Sequence, residues 1–250
     1  MHVALTGASS GIGEALAREY ARAGAKLTLV ARRKEVLEKL AAELGGAHVV
    51  PLDLSDVSKC TSWIEGARAA NGPIDILVNN AGMENTGPFA SSDPQAGVKV
   101  LEVNLITPLL ITRAVLPGMI ERKSGTIVQV ASAGGFAPSL GHVWYGASKA
   151  GLSNGSETLR AELAPHHVHV VVVYPGPITT PMAEAAFAKM GGREKMGKVP
   201  EGSPEVLAQL IRSAVEKRSP RVVYPRTYSL GYWAPWIMRW IKARQPMPTG

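Results

Sequence analysis

Residues 6–13 read Thr-Gly-Ala-Ser-Ser-Gly-Ile-Gly, and they lie between a short apolar run at residues 3–5 and a segment of helical periodicity at residues 14–23. Glycines at a turn between a strand and a helix let the backbone turn sharply. They also let a pyrophosphate approach the amide groups at the helix N-terminus, where the helix dipole favours anions. The spacing is G-x-x-x-G-x-G rather than G-x-G-x-x-G, so on this motif alone a plain strand-to-helix turn stays an alternative.

The same alternation of strand and helix continues along the chain. Short runs rich in Val, Ile and Leu lie at residues 3–5, 27–31, 48–52, 74–78, 126–131, 168–174 and 221–224. Segments of helical spacing lie between them, at residues 14–23, 34–44, 101–122, 151–163 and 204–217. Nearly continuous apolar strands that alternate with helices are typical of a parallel sheet covered on both faces. We therefore predict an α/β fold: a Rossmann-like, doubly wound, seven-stranded parallel sheet with helices on both faces, in a single domain.

Composition excludes several other classes of protein. A chain of 250 residues, 46% of them hydrophobic, suits one globular domain and is too apolar for disorder. The single cysteine, Cys60, allows no internal disulfide and no Cys-based metal site. The first residues lack the features of a secretory signal, and no apolar run reaches the ~20 residues that span a bilayer. A reduced, cytoplasmic setting is the expectation.

The net charge of +7 belongs to the C-terminal end. Residues 217–250 hold seven Lys or Arg and no acid, while residues 1–216 hold 20 bases and 20 acids. A nucleic-acid-binding domain would carry its bases along the main body, so we expect no nucleic-acid partner. We divide the chain into a catalytic domain at residues 1–225 and a basic, aromatic tail at residues 226–250.

The tail is predicted to be amphipathic. If a helix begins near Pro235, Trp236, Ile237, Trp240 and Ile241 share one face, and Arg239 and Lys242 share the other. The apolar face either packs on protein, in this subunit or across an interface, or lies peripherally in the headgroup region of a membrane.

The end of the second strand bears on the choice of dinucleotide. An acid at this point would bind the adenosine ribose hydroxyls, but the chain has Arg32 and Arg33 instead. Two guanidinium groups suit a 2′-phosphate, so the sequence predicts NADP(H) as the cofactor. A solvated helix start is the alternative reading of these arginines.

Further along the chain lie residues that carry proton chemistry. Tyr145 and Lys149 are four positions apart, which places them on one helical face, and an ammonium near a phenol is expected to lower its pKa. Asn104 lies in a helical segment, and Ser132 ends the fifth strand, thirteen residues before Tyr145.

With TGASSGIG at residues 6–13, NNAG at residues 79–82, Ser132 and YGASK at residues 145–149, in this order, the chain resembles the short-chain dehydrogenase/reductase family. The resemblance covers nearly the whole length up to residue 224. It implies a catalytic tetrad of Asn104, Ser132, Tyr145 and Lys149, in which Asn104 would hold a water that links Lys149 to solvent. The cofactor-binding residues that it and the arginines imply are Gly7, Ser9, Ser10, Gly11, Ile12, Gly13, Arg32, Arg33, Asp53, Leu54, Asn80, Ala81, Gly82, Tyr145, Lys149, Pro175, Gly176, Ile178 and Thr180.

Three regions stay open in the sequence. Residues 181–203 lack clear periodicity and are expected to form a lid over the substrate, with a disordered insertion as the alternative. Residues 142–144 precede the tyrosine and either face the substrate or pack in the core. His166, His167 and His169 lack a carboxylate or Cys partner, so we expect no metal site, and His167 stands where the family often has a glycine with positive φ.

We therefore expect an NADP(H)-dependent oxidoreductase that interconverts a carbonyl and an alcohol on a small, apolar substrate. A 3-oxoacyl reductase acting on a carrier protein and a non-catalytic NADP(H)-binding sensor are the alternatives. A homodimer or homotetramer is the expected assembly.

Overall fold

The fold is a seven-stranded parallel sheet with helices on both faces, as predicted. The computed structural model describes residues 1–190, 192, 200–236 and 240. The strands are β1 (His2–Thr6), β2 (Lys26–Ala31), β3 (His48–Pro51), β4 (Ile76–Asn79), β5 (Gly125–Val130), β6 (Val168–Pro175) and β7 (Arg221–Tyr224). Their order in the sheet is β3-β2-β1-β4-β5-β6-β7, and every neighbouring pair is parallel. The order reverses between β1 and β4, where such sheets bind ligands at the carboxyl ends of the strands.

The helices are α1 (Gly11–Arg22), α2 (Lys34–Glu43), α3 (Ile64–Asn71), α4 (Pro94–Leu101), α5 (Thr107–Glu121), α6 (Val143–Leu163), α7 (Pro181–Lys189), α8 (Pro204–Glu216) and α9 (Ser229–Trp233). Alternate strand residues point to opposite faces, so Val3 and Leu5 join a core under α1, α2 and α8. Ala4 joins a second core under α3, α5 and α6.

Several helix boundaries differ from the sequence prediction. Helix α1 begins at Gly11, in the glycine turn itself, and α6 begins at Val143 instead of residue 151. The segment predicted at residues 101–122 is α5, preceded by a π-helical turn at Glu102–Ile106 that joins it to α4. Glycine and serine near the observed helix starts lower the helix propensity of these first turns. The sequence pattern therefore did not predict them as helical.

The expected lid contains α7, which the periodicity did not predict. Thr180 caps this helix with its hydroxyl, and Pro181 occupies the first turn, where a missing N–H costs nothing. Four of its nine residues are alanines, which lack the long apolar side chains that mark one face of an amphipathic helix. The sequence therefore shows no amphipathic periodicity here. Residues 191 and 193–199 lie outside the described part of the chain.

The helical stretch Pro94–Glu121 is long and apolar enough to cross a membrane by length and composition, with a mean hydropathy of 1.5 in its most apolar window. Within that window 44% of the residues are buried. Ile111, Val115 and Met119 lie in the core against the sheet. Such burial is what a core helix of an α/β domain shows.

The first part of the C-terminal segment packs on the main body. Tyr232 contacts the rings of Tyr174 and Phe136, with centroids 5.0 and 5.5 Å away. The ring of Tyr228 lies directly over Gly176. By contrast, Trp233, Trp236 and Trp240 are 73%, 70% and 59% exposed. The predicted partners Ile237, Arg239, Ile241 and Lys242 lie outside the described residues.

Candidate active site

A cavity of about 730 Å³ lies at the carboxyl ends of the strands, where the strand order reverses. That volume is in the range of sites for cofactors and small molecules. The sequence-predicted residues that line it are Gly7, Ser9, Ser10, Gly11, Ile12, Arg32, Arg33, Asp53, Leu54, Asn80, Ala81, Gly82, Ser132, Tyr145, Lys149, Pro175, Gly176, Ile178 and Thr180. Gly13 and Asn104 lie behind its wall.

The glycine turn needs each of its glycines for a steric reason. Gly7 and Gly11 have φ of 67° and 57°, a region that other residues rarely adopt. A Cβ at Gly13 would lie 2.0 Å from the carbonyl oxygen of Gly7, so this glycine allows helix α1 to start directly against the strand end. The first amide groups of α1 therefore face the cavity, where they can bind a phosphate.

Thr6, which the sequence analysis did not single out as a site residue, ties the glycine turn to the end of β4. Its hydroxyl accepts hydrogen bonds from the backbone N–H of Asn80 and Ala81, at 3.0 and 3.1 Å. In return, the Asn80 amide nitrogen donates to the carbonyl oxygens of Thr6 and Gly7. These bonds hold the two strand ends that flank the cavity in a fixed relation.

Arg32 and Arg33 are exposed at the cavity mouth, at the end of β2. Arg33 donates from Nη2 to the carbonyl and hydroxyl oxygens of Ser9, at 2.9 and 3.0 Å. Asp53 also lines the cavity. Burial alone would raise the pKa of its carboxyl, but hydrogen bonds from Ser55 and the nearby Arg32 bring that pKa below its ordinary value. The structure thus places two cations beside the glycine turn.

Ser132 and Tyr145 face each other across the cavity wall. Ser132 caps a single helical turn, Ala133–Gly135, by accepting a hydrogen bond from the N–H of Gly134 at 3.0 Å. Gly134 lies between the two side chains, since a Cβ built on it would be 3.4 Å from the Ser132 hydroxyl oxygen and 3.6 Å from the Tyr145 ring. Both hydroxyl groups therefore point at one region of the cavity.

Lys149 lies one turn further along α6 and is almost fully buried. Its Nζ donates a hydrogen bond of 2.8 Å to the carbonyl oxygen of Val130, at the end of β5. Burial lowers the pKa of this amine to about 8. Gly82 lies beside this amine, and a Cβ built on it would be 3.6 Å from Nζ and only 3.2 Å from Oδ1 of Asn104.

The pKa of Tyr145 does not follow the sequence prediction. Burial raises it above the ordinary value for a phenol, the interaction with Ser132 lowers it in part, and the Glu84 carboxylate raises it further. The predicted lowering by Lys149 is wrong for this arrangement, because the ammonium is bonded to Val130 and lies 5.9 Å from the ring centroid.

Asn104 occupies the π-helical turn and is fully buried. Its Oδ1 accepts from the N–H of Met83 at 2.8 Å, and its Nδ2 donates to the Met83 carbonyl at 2.9 Å and to Ser148 at 3.1 Å. The carboxamide thus fixes the loop after β4 against α6. Helical turns of the π type often occur at functional sites.

The far end of the cavity includes residues that sequence reasoning did not assign to the site. They are mostly apolar and come from the loop after β5, from α7 and from the C-terminal segment: Ala137, Pro138, Met182, Ala186, Phe187, Met190 and Tyr228. Two polar side chains, Glu84 and His142, lie among them. Of the residues left open at 142–144, His142 lines the cavity, while Trp144 packs against Gly97 and Phe89. The position of Glu84 two residues after the NNAG motif was the available signal.

The remaining residues of interest lie elsewhere. His167 has φ of 58°, which confirms the expected left-handed turn, and the His169 ring bonds to the Ser219 carbonyl. Cys60 is buried, and this burial raises the pKa of its thiol. Within the described part of the chain, no three His, Cys, Asp or Glu side chains are grouped to hold a metal ion.

The chain is similar to known proteins in sequence and in structure. The family model described as short chain dehydrogenase matches residues 1–191. A dehydrogenase/reductase SDR family protein 7-like from Anopheles gambiae is 33% identical, over 97% of this chain and 82% of that protein. An uncharacterized short-chain type dehydrogenase/reductase from Sinorhizobium fredii is 37% identical, over 85% of this chain and 84% of that protein. A short-chain dehydrogenase from Sphingobium yanoikuyae, solved in complex with NADPH, has a TM-score of 0.82 at 28% identity and covers 100% of this chain and 98% of its own.

Proposed function

Since the chain belongs to the short-chain dehydrogenase/reductase family, we propose that it is an NADP(H)-dependent oxidoreductase that interconverts a carbonyl and an alcohol. The observation that carries this proposal is the position of Ser132, Tyr145 and Lys149 on one wall of the cavity that the glycine turn enters. A protein that only bound a nucleotide would not need a tyrosine and a buried lysine together at that wall.

The residues around the cavity fit the cofactor. The open N-terminus of α1 and the turn at Gly7 and Gly11 suit a pyrophosphate, and Arg32 and Arg33 suit a 2′-phosphate. Ile178 and Thr180 also line the cavity, with the Thr180 side chain directly beside Gly11, and they would hold the carboxamide of the nicotinamide. When bound, the cofactor supplies or accepts the hydride at the carbonyl carbon.

The chain's own groups handle the oxygen and the proton. As negative charge grows on the carbonyl oxygen, the hydroxyl groups of Ser132 and Tyr145 donate hydrogen bonds to it, and Tyr145 releases its proton. Lys149, with a pKa of about 8, is mostly protonated at neutral pH and would hold the ribose hydroxyls of the bound cofactor. Asn104 acts at a distance from the reacting atoms, by holding Met83 and therefore the wall beside Lys149.

The proposed substrate is mostly apolar. The cavity beyond Tyr145 is bounded by Pro138, Met182, Phe187 and Met190, whose side chains offer contact area without fixed charge. Assay of ketones, aldehydes and secondary alcohols of graded chain length, with NADPH and NADP⁺, tests the proposal. Turnover that rises with apolar chain length supports it, and absence of turnover throughout the series contradicts it.

Two surface features lead to proposals about assembly and location. Ile106, at the end of the π-helical turn, and Leu110, on α5, are exposed one turn apart, and we propose a homodimer contact there. The exposed Trp233, Trp236 and Trp240, in a segment whose charges are all positive, are proposed to contact an anionic membrane surface. We therefore propose a cytoplasmic enzyme that contacts the membrane surface peripherally.

A further inference from the structure

The short helix α9 places an aromatic side chain beside the wall that carries the reacting groups. The ring of Tyr232 contacts two other rings, with its centroid 5.5 Å from that of Phe136 and 5.0 Å from that of Tyr174. The pair with Phe136 is edge-to-face, at 87°, which is a favourable arrangement for two aromatic rings. Tyr232 is not among the described residues that line the cavity. Its contact with the site therefore runs through Phe136.

Phe136 ends a turn at residues 132–136, which we call the Ser132 turn. The carbonyl oxygen of Ser132 accepts a hydrogen bond from the N–H of Gly135 at 2.9 Å, and the N–H of Phe136 donates to a carbonyl within the turn at 3.2 Å. A Cβ built on Gly135 would lie 3.0 Å from the carbonyl oxygen of Lys149, so the Ser132 turn packs directly against α6. Phe136 carries the one large side chain of this turn. A contact on that side chain therefore acts on the whole turn.

The position of Tyr232 is itself set by the main body. Helix α9 has five residues, too few to be stable as an isolated helix. The guanidinium of Arg221, on β7, lies over the rings of Tyr232 and Trp233, 5.2 and 5.8 Å from their centroids. Arg221 in turn donates to both carboxylate oxygens of Glu157 on α6, at 3.3 Å. The helix that carries Tyr145 therefore also helps to fix α9.

The relation between the two reacting hydroxyl groups depends on this packing. Ser132 moves with its turn, whereas Tyr145 belongs to α6. For both to stabilise a developing oxyanion, each hydroxyl must lie within about 3 Å of the same oxygen. A displacement of the Ser132 turn by about 1 Å would break that arrangement, and such misplacements cost up to about a hundredfold in rate.

We propose that Tyr232 is a positioning residue for the interconversion of carbonyl and alcohol. By packing on Phe136, it holds the Ser132 turn against α6, so that the hydroxyl groups of Ser132 and Tyr145 meet at one oxygen. The C-terminal segment thus contributes to catalysis through a residue that does not touch the substrate. This inference rests on the proposed function, because carbonyl reduction is the activity that Tyr232 supports.

Steady-state reduction of the best ketone of the chain-length series, with NADPH, measures the effect. Tyr232→Ala is expected to lower kcat at least about tenfold, because the Ser132 turn loses its contact. The Kd for NADPH is expected to stay within about twofold, since the described contacts of Tyr232 are with residues outside the cofactor site. Tyr232→Phe, which keeps the ring, is expected to keep the native kcat, and Tyr232→Leu to fall between the two.

Two comparisons distinguish positioning from a general loss of stability. Leu230→Ala is the matched control, because Leu230 lies on the same helix and is 66% exposed, and it is expected to keep kcat. In a Ser132→Ala background, Tyr232→Ala is expected to lower the residual kcat by less than about twofold, because the group that it positions is already absent. Equal losses in both backgrounds overturn the proposal. So does a native kcat in Tyr232→Ala, or an equally large loss in Tyr232→Phe.

Hydrogen exchange separates this inference from the proposed function, because it needs no turnover. The amides of Gly134, Gly135 and Phe136 are hydrogen-bonded within the Ser132 turn, and their exchange is followed by mass spectrometry with NADP⁺ present. Exchange at least about tenfold faster there in Tyr232→Ala, with native exchange in β1, supports the inference. If the native protein nevertheless reduces no ketone, only the proposed function fails.

The same exchange measurement can also overturn the inference. Native exchange of the Ser132 turn in Tyr232→Ala does so, whatever the enzyme reduces, and so does equally fast exchange in Leu230→Ala. If Tyr232→Ala exchanges rapidly throughout the chain, Tyr232→Leu replaces it under the same criteria.

Discussion

The ammonium of Lys149 lies 5.9 Å from the ring centroid of Tyr145, four residues earlier on the same helix, with only 4% of the lysine exposed. Burial lowers the pKa of this amine from 10.5 to about 8. A shift of this size means that burial of the protonated amine lowers the free energy of unfolding by about 3 kcal/mol. Burial of Lys149 is therefore expected to reduce the stability of the domain.

Replacement of Lys149 by methionine is expected to stabilise the protein. The methyl thioether fills similar space without a buried charge, so the free energy of unfolding at pH 7 rises by about 1–3 kcal/mol, less than the full burial cost because the Val130 carbonyl loses its donor. Urea unfolding of both proteins at pH 7 measures the difference.

The same difference is expected to depend on pH. The folded lysine has the lower pKa, so between pH 8 and 10.5 the unfolded chain binds more protons, and native stability rises through this window. The advantage of Lys149→Met is thus complete below pH 8 and lost near pH 10.5. Lys39→Met, at an exposed position on α2, serves as the control. A variant that is less stable at pH 7, or a gap that is constant with pH, contradicts this account.

Tyr145→Phe is expected to abolish turnover and leave cofactor binding intact. The ring still fills its place beside Gly134, but the proton that neutralises the developing oxyanion is gone. We expect kcat to fall at least about a hundredfold, with the Kd for NADPH within about twofold of the native value. Steady-state reduction and NADPH fluorescence titration measure the two effects. Retention of native kcat would remove Tyr145 from the mechanism.

The sequence predicted the order of strands and helices because buried parallel strands are continuous apolar runs, which are visible without context. It also placed Tyr145 and Lys149 correctly on one helical face. It did not reveal α7, because alanines leave no amphipathic pattern, or the raised pKa of Tyr145, because that depends on Glu84 and on burial. Local sequence patterns therefore predict helices and strands. The pKa of a residue that is affected by a charge on a distant loop can be predicted only once the fold is known.

Helix α5 provides a test of assembly. Ile106 and Leu110 lie one turn apart and are exposed, so charge at these positions would be buried if two subunits meet there. Ile106→Glu with Leu110→Glu is expected to convert the oligomer into a monomer, measured by size-exclusion chromatography with light scattering. Val36→Glu on α2 is the control for an exposed apolar residue elsewhere. A native protein that is already monomeric rules out this interface.

The exposed tryptophans of the C-terminal segment are tested by substitution instead of deletion. Tyr228 and Tyr232 pack on the main body, so removal of residues 226–250 would also expose the core. Trp233→Ser, Trp236→Ser and Trp240→Ser together are expected to abolish sedimentation with anionic liposomes, because indole rings anchor at the headgroup level. Activity of the variant on a short ketone is the control for folding. If the native protein does not sediment with anionic liposomes, the membrane contact is absent.

Arg32 and Arg33 are expected to decide between NADPH and NADH. Arg33 is already oriented by its two hydrogen bonds to Ser9, so its guanidinium can bind a phosphate beside the glycine turn with little loss of conformational freedom. Arg32→Ala with Arg33→Ala removes both cations and changes no residue of the pyrophosphate turn or of the nicotinamide end. The Kd for NADPH is expected to rise at least about thirtyfold, and that for NADH by less than about threefold, as measured by fluorescence titration.

Two features of this measurement make it decisive. Lys34→Ala removes a neighbouring exposed cation that does not line the cavity, and it should leave both constants unchanged. Higher salt should weaken NADPH binding to the native protein more than to the double variant, because the extra phosphate contact is exposed and screened. Equal losses for NADPH and NADH in the double variant would mean that the arginines support the turn through Ser9 and do not read the 2′-phosphate.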